Sequence, residues 1–430
     1  MSGFAQSQNP PAPPQFDTRR AVKWFLIAAG IVLFAAWLGP YVGAQKPGRL
    51  VESVIRGFLV GGVYALVGLG IVIVNKASGV FNFAHGYMML LGGLIFYALF
   101  SIPVTTQPVL ENGVPLVVDG VEVVNRYVVV NPGAAALFSI VVVLMLISLN
   151  GWRELRDMRR VAVGAAAAVI LTVVLILPWP EWQLIRAFVG GMLGAVALGL
   201  VVERFTIRPL IGQPLFATVM MTLAIGELLH GLTQMVWGSV ELPLPVFDVL
   251  KRIGVPARLT IEGEGTWLDV SRIIINIELV VAFCLAVAAF LAFVAFFRFT
   301  NVGLAMRATA ENQQLAQSVG LRVRVILAVA WAIAALLAAI SGVAQGGATN
   351  LSQNLPGLAF YAFPAVLLGG VESISGAFVG GIVIGLVQEL SKRLFPGLQV
   401  DTELAPYLVL MLVLVIRPDG LFGQKRIERI

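Results

Sequence analysis

Residues 298–324 carry the sequence RFTNVGLAMRATAENQQLAQSVGLRVR, a long polar segment in a chain that is otherwise mostly apolar. Apolar stretches of roughly bilayer-spanning length flank it on both sides, at 277–297 and 325–343. The segment holds four arginines against a single acid, Glu311; the arginines are Arg298, Arg307, Arg322 and Arg324. Because cytoplasmic loops of membrane proteins collect Lys and Arg, we expect the segment to face the cytoplasm.

The middle of this segment favours a short helix. Its helix-forming residues are Ala308, Ala310, Leu315 and Ala316, and Gly320 stands where a C-terminal cap would. A cytoplasmic helix held between two spans is well placed to meet a soluble partner. The alternative is an ordinary solvated basic loop, and composition alone does not choose between the two.

Composition predicts an all-α polytopic membrane protein. The chain has 430 residues, of which 59% are hydrophobic and 12% charged, whereas a soluble domain carries about 25% charge. We expect about 11–12 transmembrane segments, including broken or re-entrant helices. The net charge of +6 fits basic cytoplasmic loops and does not require a nucleic-acid partner.

Cysteine and histidine content argues against a disulfide or a structural metal site. The single cysteine, Cys284, lies in an apolar run and is expected to be a small core residue. Two histidines and one cysteine are too few for a classical zinc site. The chain also lacks a nucleophile elbow, a His-Glu-x-x-His motif and a phosphate-binding G-x-x-x-x-G-K-[ST] loop. We therefore expect no catalytic residues, and any ATPase would be another chain.

The order of segments predicts one main membrane domain with additions. Residues 1–20 are polar and proline-rich and are expected to form a disordered cytoplasmic tail. Residues 21–50 hold an extra membrane helix and a linker; a cleaved signal sequence is the alternative, but the apolar region is longer than a usual signal core. The main domain covers 51–423, with an inserted loop and helical hairpin at about 105–182, and 424–430 form a cytoplasmic tail.

Two interruptions of apolar runs point to a transport pathway. NKASGVFNFAHG (75–86) lies in the first half and GGVESISG (369–376) in the second. Paired broken helices are typical of transport pathways, although each could be a simple helix-to-helix turn. The candidate pathway residues here are Asn82, His85, Gly86, Gly369, Gly370 and Ser375. Small residues at four-residue spacing, Gly376/Gly380 and Gly381/Gly385, predict close helix packing.

Ionisable residues inside a predicted span form a further candidate. Glu227, His230 and Gln234 are spaced by three and four residues, so they share one helix face. A titratable group in a membrane is a functional hypothesis by default. Glu227 and His230 could equally pair with each other against a neighbouring helix.

Five segments then occur in a fixed order: NFAHG (82–86), ERFTIRPL (203–210), GLAMRATAENQQLAQSVG (303–320), AVLLGGVESISGAFVGG (365–381) and RPDGLFG (417–423). Together they resemble the signatures of the membrane-spanning permeases of branched-chain amino acid ABC importers. Urea-importer permeases have similar motifs, so the resemblance indicates the transporter class better than the solute. The extra N-terminal span, the block at 105–182 and the Glu227/His230 pair depart from the family pattern.

The resemblance implies roles and partners. Residues 298–324 correspond to the cytoplasmic coupling loop, whose pattern of acid, alanine and glycine is met by Glu311, Ala316 and Gly320; Arg307 and Asn312 stand in the same loop. Its helix would seat in a groove on an ABC ATPase. The other implied partners are a second related permease and a periplasmic solute-binding protein, in the bacterial inner membrane. ATP would be used by the partners, and no cofactor or metal is expected on this chain.

Two alternatives remain at this stage. The first is an ABC permease for urea or another small solute. The second is an ion-driven secondary transporter in which Glu227 and His230 form a proton site. A polytopic membrane enzyme is disfavoured by the lack of a catalytic cluster in the sequence.

Overall fold

The computed structural model describes most of the main domain. The described residues are 39–40, 42–43, 47–101, 104–108, 110–111, 114–115, 117–118, 121–122, 124–128, 132–150, 166, 183–248, 254–256, 258–263, 270–311, 313–395 and 404–423. The predicted tails at 1–20 and 424–430, nearly all of the N-terminal span and the second helix of the inserted hairpin lie outside them. The domain boundaries therefore stay predictions.

The described residues form an α-helical bundle. Its α-helices are α1 Pro47–Ser78, α2 His85–Phe100, α3 Pro132–Asn150, α4 Gln183–Val202, α5 Leu215–Trp237, α6 Ile277–Phe299, α7 Asn301–Glu311, α8 Gln313–Ser318, α9 Val323–Ala348, α10 Leu358–Gly369, α11 Ile374–Leu394 and α12 Leu404–Ile416. Six of them, α1, α4, α5, α6, α9 and α11, are long and apolar enough to cross a membrane. Shorter apolar helices are α2, α10 and α12. The predicted all-α polytopic class is confirmed.

Short strands form hairpins between the helices. They are β1 Val104–Pro108, β2 Leu110–Glu111, β3 Val114–Pro115, β4 Val117–Val118, β5 Val121–Glu122, β6 Val124–Val128, β7 Arg258–Gly263 and β8 Val270–Asn276. The antiparallel pairs are β1 with β6, β2 with β3, β4 with β5 and β7 with β8. Arg56 of α1 donates to the carbonyl of Ile274 in β8 at 3.2 Å, which fastens the last hairpin to the bundle.

Helix contacts give the bundle two distinct ends. Gly381 of α11 packs on Ala65 of α1, and Gly385 packs on Gly57 and Gly61, so α1 and α11 run antiparallel. The turns on one side hold the 298–324 segment, and we call this side the basic end. The other side holds the β-hairpins, and we call it the hairpin end. The last described helix, α12, runs from the hairpin end to the basic end, since Tyr407 bonds Phe360 and Leu421 bonds Leu368.

Glycines set the distance between the central helices. An added Cβ at Gly381 would lie 2.5 Å from the Ala65 nitrogen, and one at Gly385 would lie 2.5 Å from Gly61. On the other face of α11, Gly376 and Gly380 meet the backbone of α10 at Gly369 and Ala365. Backbones at this separation leave no room for a side chain, so the predicted close packing is confirmed on two faces of α11.

The expectation for the cysteine was wrong. Cys284 lies in α6, and its side chain is exposed. The buried residues of α6 are Ala282, Ala286 and Phe293, and Cys284 lies about half a turn away from each of them on the helix surface. An apolar run in a membrane helix does not separate a core face from a face that meets lipid or another subunit, because both are apolar.

Candidate functional site

Helices α7 and α8 form a platform at the basic end. The structure splits the one helix expected there into two, and Asn312 between them lies outside the described residues. Met306 and Ala316 are 2% and 3% exposed and pack into a core cluster with Leu66, Ile73 and Phe293. This cluster joins the platform to the adjoining ends of α1, α6 and α9. A movement of the platform would therefore act directly on three long helices, α1, α6 and α9.

The corner between α6 and α7 is tightly built. Thr300 caps α7 by accepting from the Gly303 nitrogen at 3.0 Å, while its own hydroxyl donates to the Phe296 carbonyl at 2.7 Å. A Cβ on Gly303 would lie 2.7 Å from that same carbonyl oxygen. Arg307 reaches back and donates to the Phe297 carbonyl at 2.6 Å. A cation at the last carbonyls of α6 also complements the helix dipole.

The opposite face of the platform is exposed and largely apolar. It consists of Leu304, Ala308 and Glu311, which share one face of α7 at spacings of four and three residues, and the exposed Leu315 of α8, and we call these four residues the outer face. Leu304 and Leu315 are 58% and 63% exposed. Gly320, with φ +85°, ends α8 as the predicted cap. Clustered exposed apolar side chains around one carboxylate are typical of a surface that binds another protein.

The first break falls where the sequence predicts it. Helix α1 ends at Ser78, Gly79 turns the chain with φ +70°, and α2 begins at His85. Asn82 is fully buried, and its Oδ1 accepts from the Ala84 nitrogen at 3.1 Å. His85 is also fully buried, and neither ring nitrogen has a hydrogen-bond partner.

The surroundings of this break are closed by close contacts. A Cβ on Gly86 would lie 2.6 Å from the Pro356 carbonyl oxygen. The rings of Phe81, Phe83 and Phe363 meet pairwise with centroids 5.1–5.2 Å apart. The segment therefore fills its space with the chain's own side chains, as irregular backbone at membrane depth must.

The second break is a capped turn between α10 and α11. Gly370 has φ +105°, and the Ser373 hydroxyl accepts from the Gly376 nitrogen at 3.0 Å. Ser375 is exposed, and its hydroxyl lies 3.4 Å from that of Ser373. Gly369 meets the backbone of Gly376 so closely that no side chain would fit.

Residues after α12 fold back onto this second break, a contact that sequence analysis missed. The nitrogens of Leu421 and Phe422 donate to the carbonyls of Leu368 and Gly369 at 2.8 and 3.0 Å. These are carbonyls at the C-terminal end of α10, which lack partners inside their own helix. Pro418-Asp419-Gly420 is a turn sequence that could have signalled a fold-back, but it does not identify the target.

The two breaks meet at the basic end. Asn75 Nδ2 donates to the Val371 carbonyl at 3.5 Å, and Lys76 Nζ donates to the Glu372 carbonyl at 3.1 Å. Ile374 and Met306 line a small pocket beside Lys76, so the platform adjoins the same place. The structure thus brings the last turn of α1, which precedes the first break, together with the second break and the platform.

The polar group on α5 lies elsewhere, at the bundle surface. His230 Nδ1 is 3.7 Å from Glu227 Oε2, and His230 Nε2 is 3.0 Å from Gln234 Nε2. The Glu227 side chain is 75% exposed, and the His230 ring lies 5.2 Å from that of Tyr87. The group therefore borders the first break through Tyr87 while its carboxylate faces away from the chain.

A buried ion pair at the end of α4 also escaped sequence analysis. Glu203 is 1% exposed and is bound by the Arg208 guanidinium through two hydrogen bonds of 2.9 and 2.7 Å. A π-helical turn over Glu203–Ile207 brings the two side chains together. Sequence analysis treated these residues only as part of a family motif, since an acid and an arginine five residues apart do not face each other in a regular α-helix.

Comparison with known proteins shows the family of this chain. Residues 144–416 match the family model described as branched-chain amino acid transport system, permease component. The chain is 22% identical over 387 residues to the high-affinity branched-chain amino acid transport system permease protein LivH of Salmonella typhimurium. It is 23% identical to LivH of Escherichia coli K12 and 22% identical to BraD of Pseudomonas aeruginosa. Each match covers 88% of this chain and 97% of the relative. No solved structure matches the chain.

Proposed function

Because the chain belongs to the family of branched-chain amino acid transport system permease components, we propose that it is the membrane-spanning subunit of an ABC importer for branched-chain amino acids. It is a multi-pass membrane protein. In this proposal it lies in the bacterial inner membrane with both termini in the cytoplasm. It binds no cofactor of its own and uses the ATP hydrolysis of partner subunits.

The observation that carries the proposal is the outer face of α7 and α8. At the basic end, which the positive-inside rule assigns to the cytoplasm, Leu304 and Leu315 would stand in water unless a protein covered them. The inner face of the same helices is buried against three spans. An ATPase that binds the outer face and moves would therefore push directly on the bundle, as a rigid-body switch requires.

The exposed face of α5 supports a second permease subunit as partner. A charged side chain facing lipid at the bilayer centre costs about 2.5 kcal/mol or more. Glu227 and Gln234 are nevertheless exposed on this apolar helix. A neighbouring permease, with a water-filled path between the two subunits, would cover both side chains. A periplasmic binding protein would deliver solute at the hairpin end.

The same α5 group favours one rival function. Glu227 and His230, 3.7 Å apart, could exchange a proton in an ion-driven secondary transporter. Such a protein would work alone. Uptake by the purified chain in liposomes, driven only by a proton gradient, would support the rival and count against the ABC proposal. A urea or other small-solute importer is the alternative within the proposed class.

The test is uptake of labelled leucine in a strain that lacks this gene. The strain is complemented with the native chain, with Glu311→Lys or with Gln317→Lys, which adds the same lysine to α8 outside the outer face. We expect uptake with the native chain and Gln317→Lys but not with Glu311→Lys, at equal amounts in the membrane, and excess urea should not compete. Normal uptake with Glu311→Lys would overturn the coupling role. Competition by urea, or no leucine uptake with the native chain, would overturn the solute.

A further inference from the structure

We propose that Lys76 and Phe297 are positioning residues that transmit movement of the α7–α8 platform to the turn between α10 and α11. The inference rests on the proposed function, since it concerns how binding of an ATPase to the platform reaches the membrane path. Neither residue belongs to the five motifs that carry the family resemblance. One aromatic ring has two cations beside it, one from the platform and one from the end of α1.

The ring is that of Phe297, in the last turn of α6. The Arg307 guanidinium lies over it, with Cζ 5.4 Å from the centroid, and the Lys76 ammonium lies 5.8 Å from the same centroid. Both distances are within the range in which a cation is attracted to an aromatic face. Arg307 belongs to the platform and Lys76 to the end of α1, so the ring connects two elements that are distant in sequence.

Each cation is also held by a backbone carbonyl. Arg307 donates to the Phe297 carbonyl at 2.6 Å, and Lys76 donates to the Glu372 carbonyl at 3.1 Å. The path thus runs from platform to α6, to α1 and to the second break through direct contacts. The neighbouring Asn75 amide bonds the Val371 carbonyl and adds a weaker parallel contact at 3.5 Å.

The receiving turn is held from its other side. Leu421 and Phe422 bond the carbonyls of Leu368 and Gly369, just before the turn. A small pocket lined by Ile73, Phe293, Met306 and Ile374 adjoins the Lys76 side chain. A turn fixed on one side and linked to the platform on the other will bend when the platform moves. This is the behaviour expected of a hinge at a pathway break.

The experiment uses the complete importer in vesicles, with its ATPases, second permease and binding protein. Labelled leucine uptake and ATP hydrolysis are measured together for Lys76→Met, Phe297→Leu, the double variant and Lys76→Arg. Lys392→Met is the matched control, because it removes an ammonium that pairs only locally, with Glu389 at 2.7 Å. Co-purification of the ATPases is checked first for each variant.

We expect Lys76→Met and Phe297→Leu each to lower the leucine carried per ATP by at least about fivefold, the lower end of typical coupling effects. Basal ATP hydrolysis should stay near native, and Lys76→Arg and Lys392→Met should couple normally. The double variant should be no worse than the poorer single variant, because both act on one path. A merely structural defect would lower hydrolysis and assembly together.

Two results would overturn the inference. Native leucine per ATP in both single variants would exclude the path, as would losses that simply multiply in the double variant. If Lys76→Met does not assemble, Phe297→Leu decides in the same way. A native complex without ATP-dependent leucine uptake would instead refute the proposed function itself, so the two failures are told apart by the native control.

Discussion

Replacing Gly381 by alanine tests whether glycine contacts hold α1 against α11. The new methyl group would lie 2.5–2.7 Å from the nitrogen, Cα and Cβ of Ala65. Ordinary carbon contacts are about 3.5–4 Å, so the helices must part by about 1 Å along their closest contact. Overpacking of this kind costs about 1–3 kcal/mol, while alanine gains up to about 1 kcal/mol in helix propensity over glycine. If alanine gains its full propensity term, the expected net result is a loss of up to about 2 kcal/mol.

The matched control makes the same chemical change where there is space. Gly231 in α5 has no heavy atom within 4 Å of an added Cβ. Gly231→Ala should therefore gain the propensity term alone, up to about 1 kcal/mol. Both variants are measured by thermal unfolding of the detergent-purified chain. The two midpoints should move in opposite directions. Equal or higher stability of Gly381→Ala than of Gly231→Ala would refute close packing at this crossing.

Two further predictions concern buried polar groups. Arg208→Met should destabilise the chain by about 3 kcal/mol, because it leaves the Glu203 carboxylate buried without its two hydrogen bonds. The double change Glu203→Leu with Arg208→Met should recover most of that loss, because it removes both charges. A double variant that unfolds at a lower temperature than Arg208→Met would contradict this reasoning. His85→Leu should keep or raise the thermal midpoint, since the imidazole is buried with neither nitrogen satisfied, whereas His85→Gln should lower it. A clear fall in the midpoint for His85→Leu would show that the ring makes polar contacts of value.

The membrane helices could be predicted from sequence because their signal is local. The apolar runs at 277–297 and 325–343 lie within α6 and α9, and Gly, Ser and Asn mark the breaks at which α1 and α10 end. The same local signal predicted a short helix with Gly320 as its cap, although the structure divides it into two. Helix propensity describes the conformation of single turns well, but it does not indicate where packing interrupts a helix, as it does between α7 and α8.

What sequence analysis missed depends on contacts between distant residues. Lys76 and Glu372 are 296 positions apart, and two helices, α11 and α12, separate Leu368 from Leu421 along the chain. No periodicity in the sequence indicates which distant residues will form hydrogen bonds with each other. The outer face of the platform shows the opposite case: Leu304, Ala308 and Glu311 lie at helical spacing, but the sequence does not say which face of the helix is buried.

The return of residues 421–422 to the end of α10 has a consequence for biosynthesis. A chain grows from its N-terminus, and its segments fold in that order. The carbonyls of Leu368 and Gly369 therefore lack the hydrogen bonds from the Leu421 and Phe422 nitrogens until the ribosome has made every helix described above. A chain that ended directly after α12 would contain the twelve α-helices described above but would leave the carbonyls of Leu368 and Gly369 without these two hydrogen bonds. Such a product would be a nearly complete protein in which the turn after α10 is not held by residues 421–422. We expect membrane proteases to degrade it.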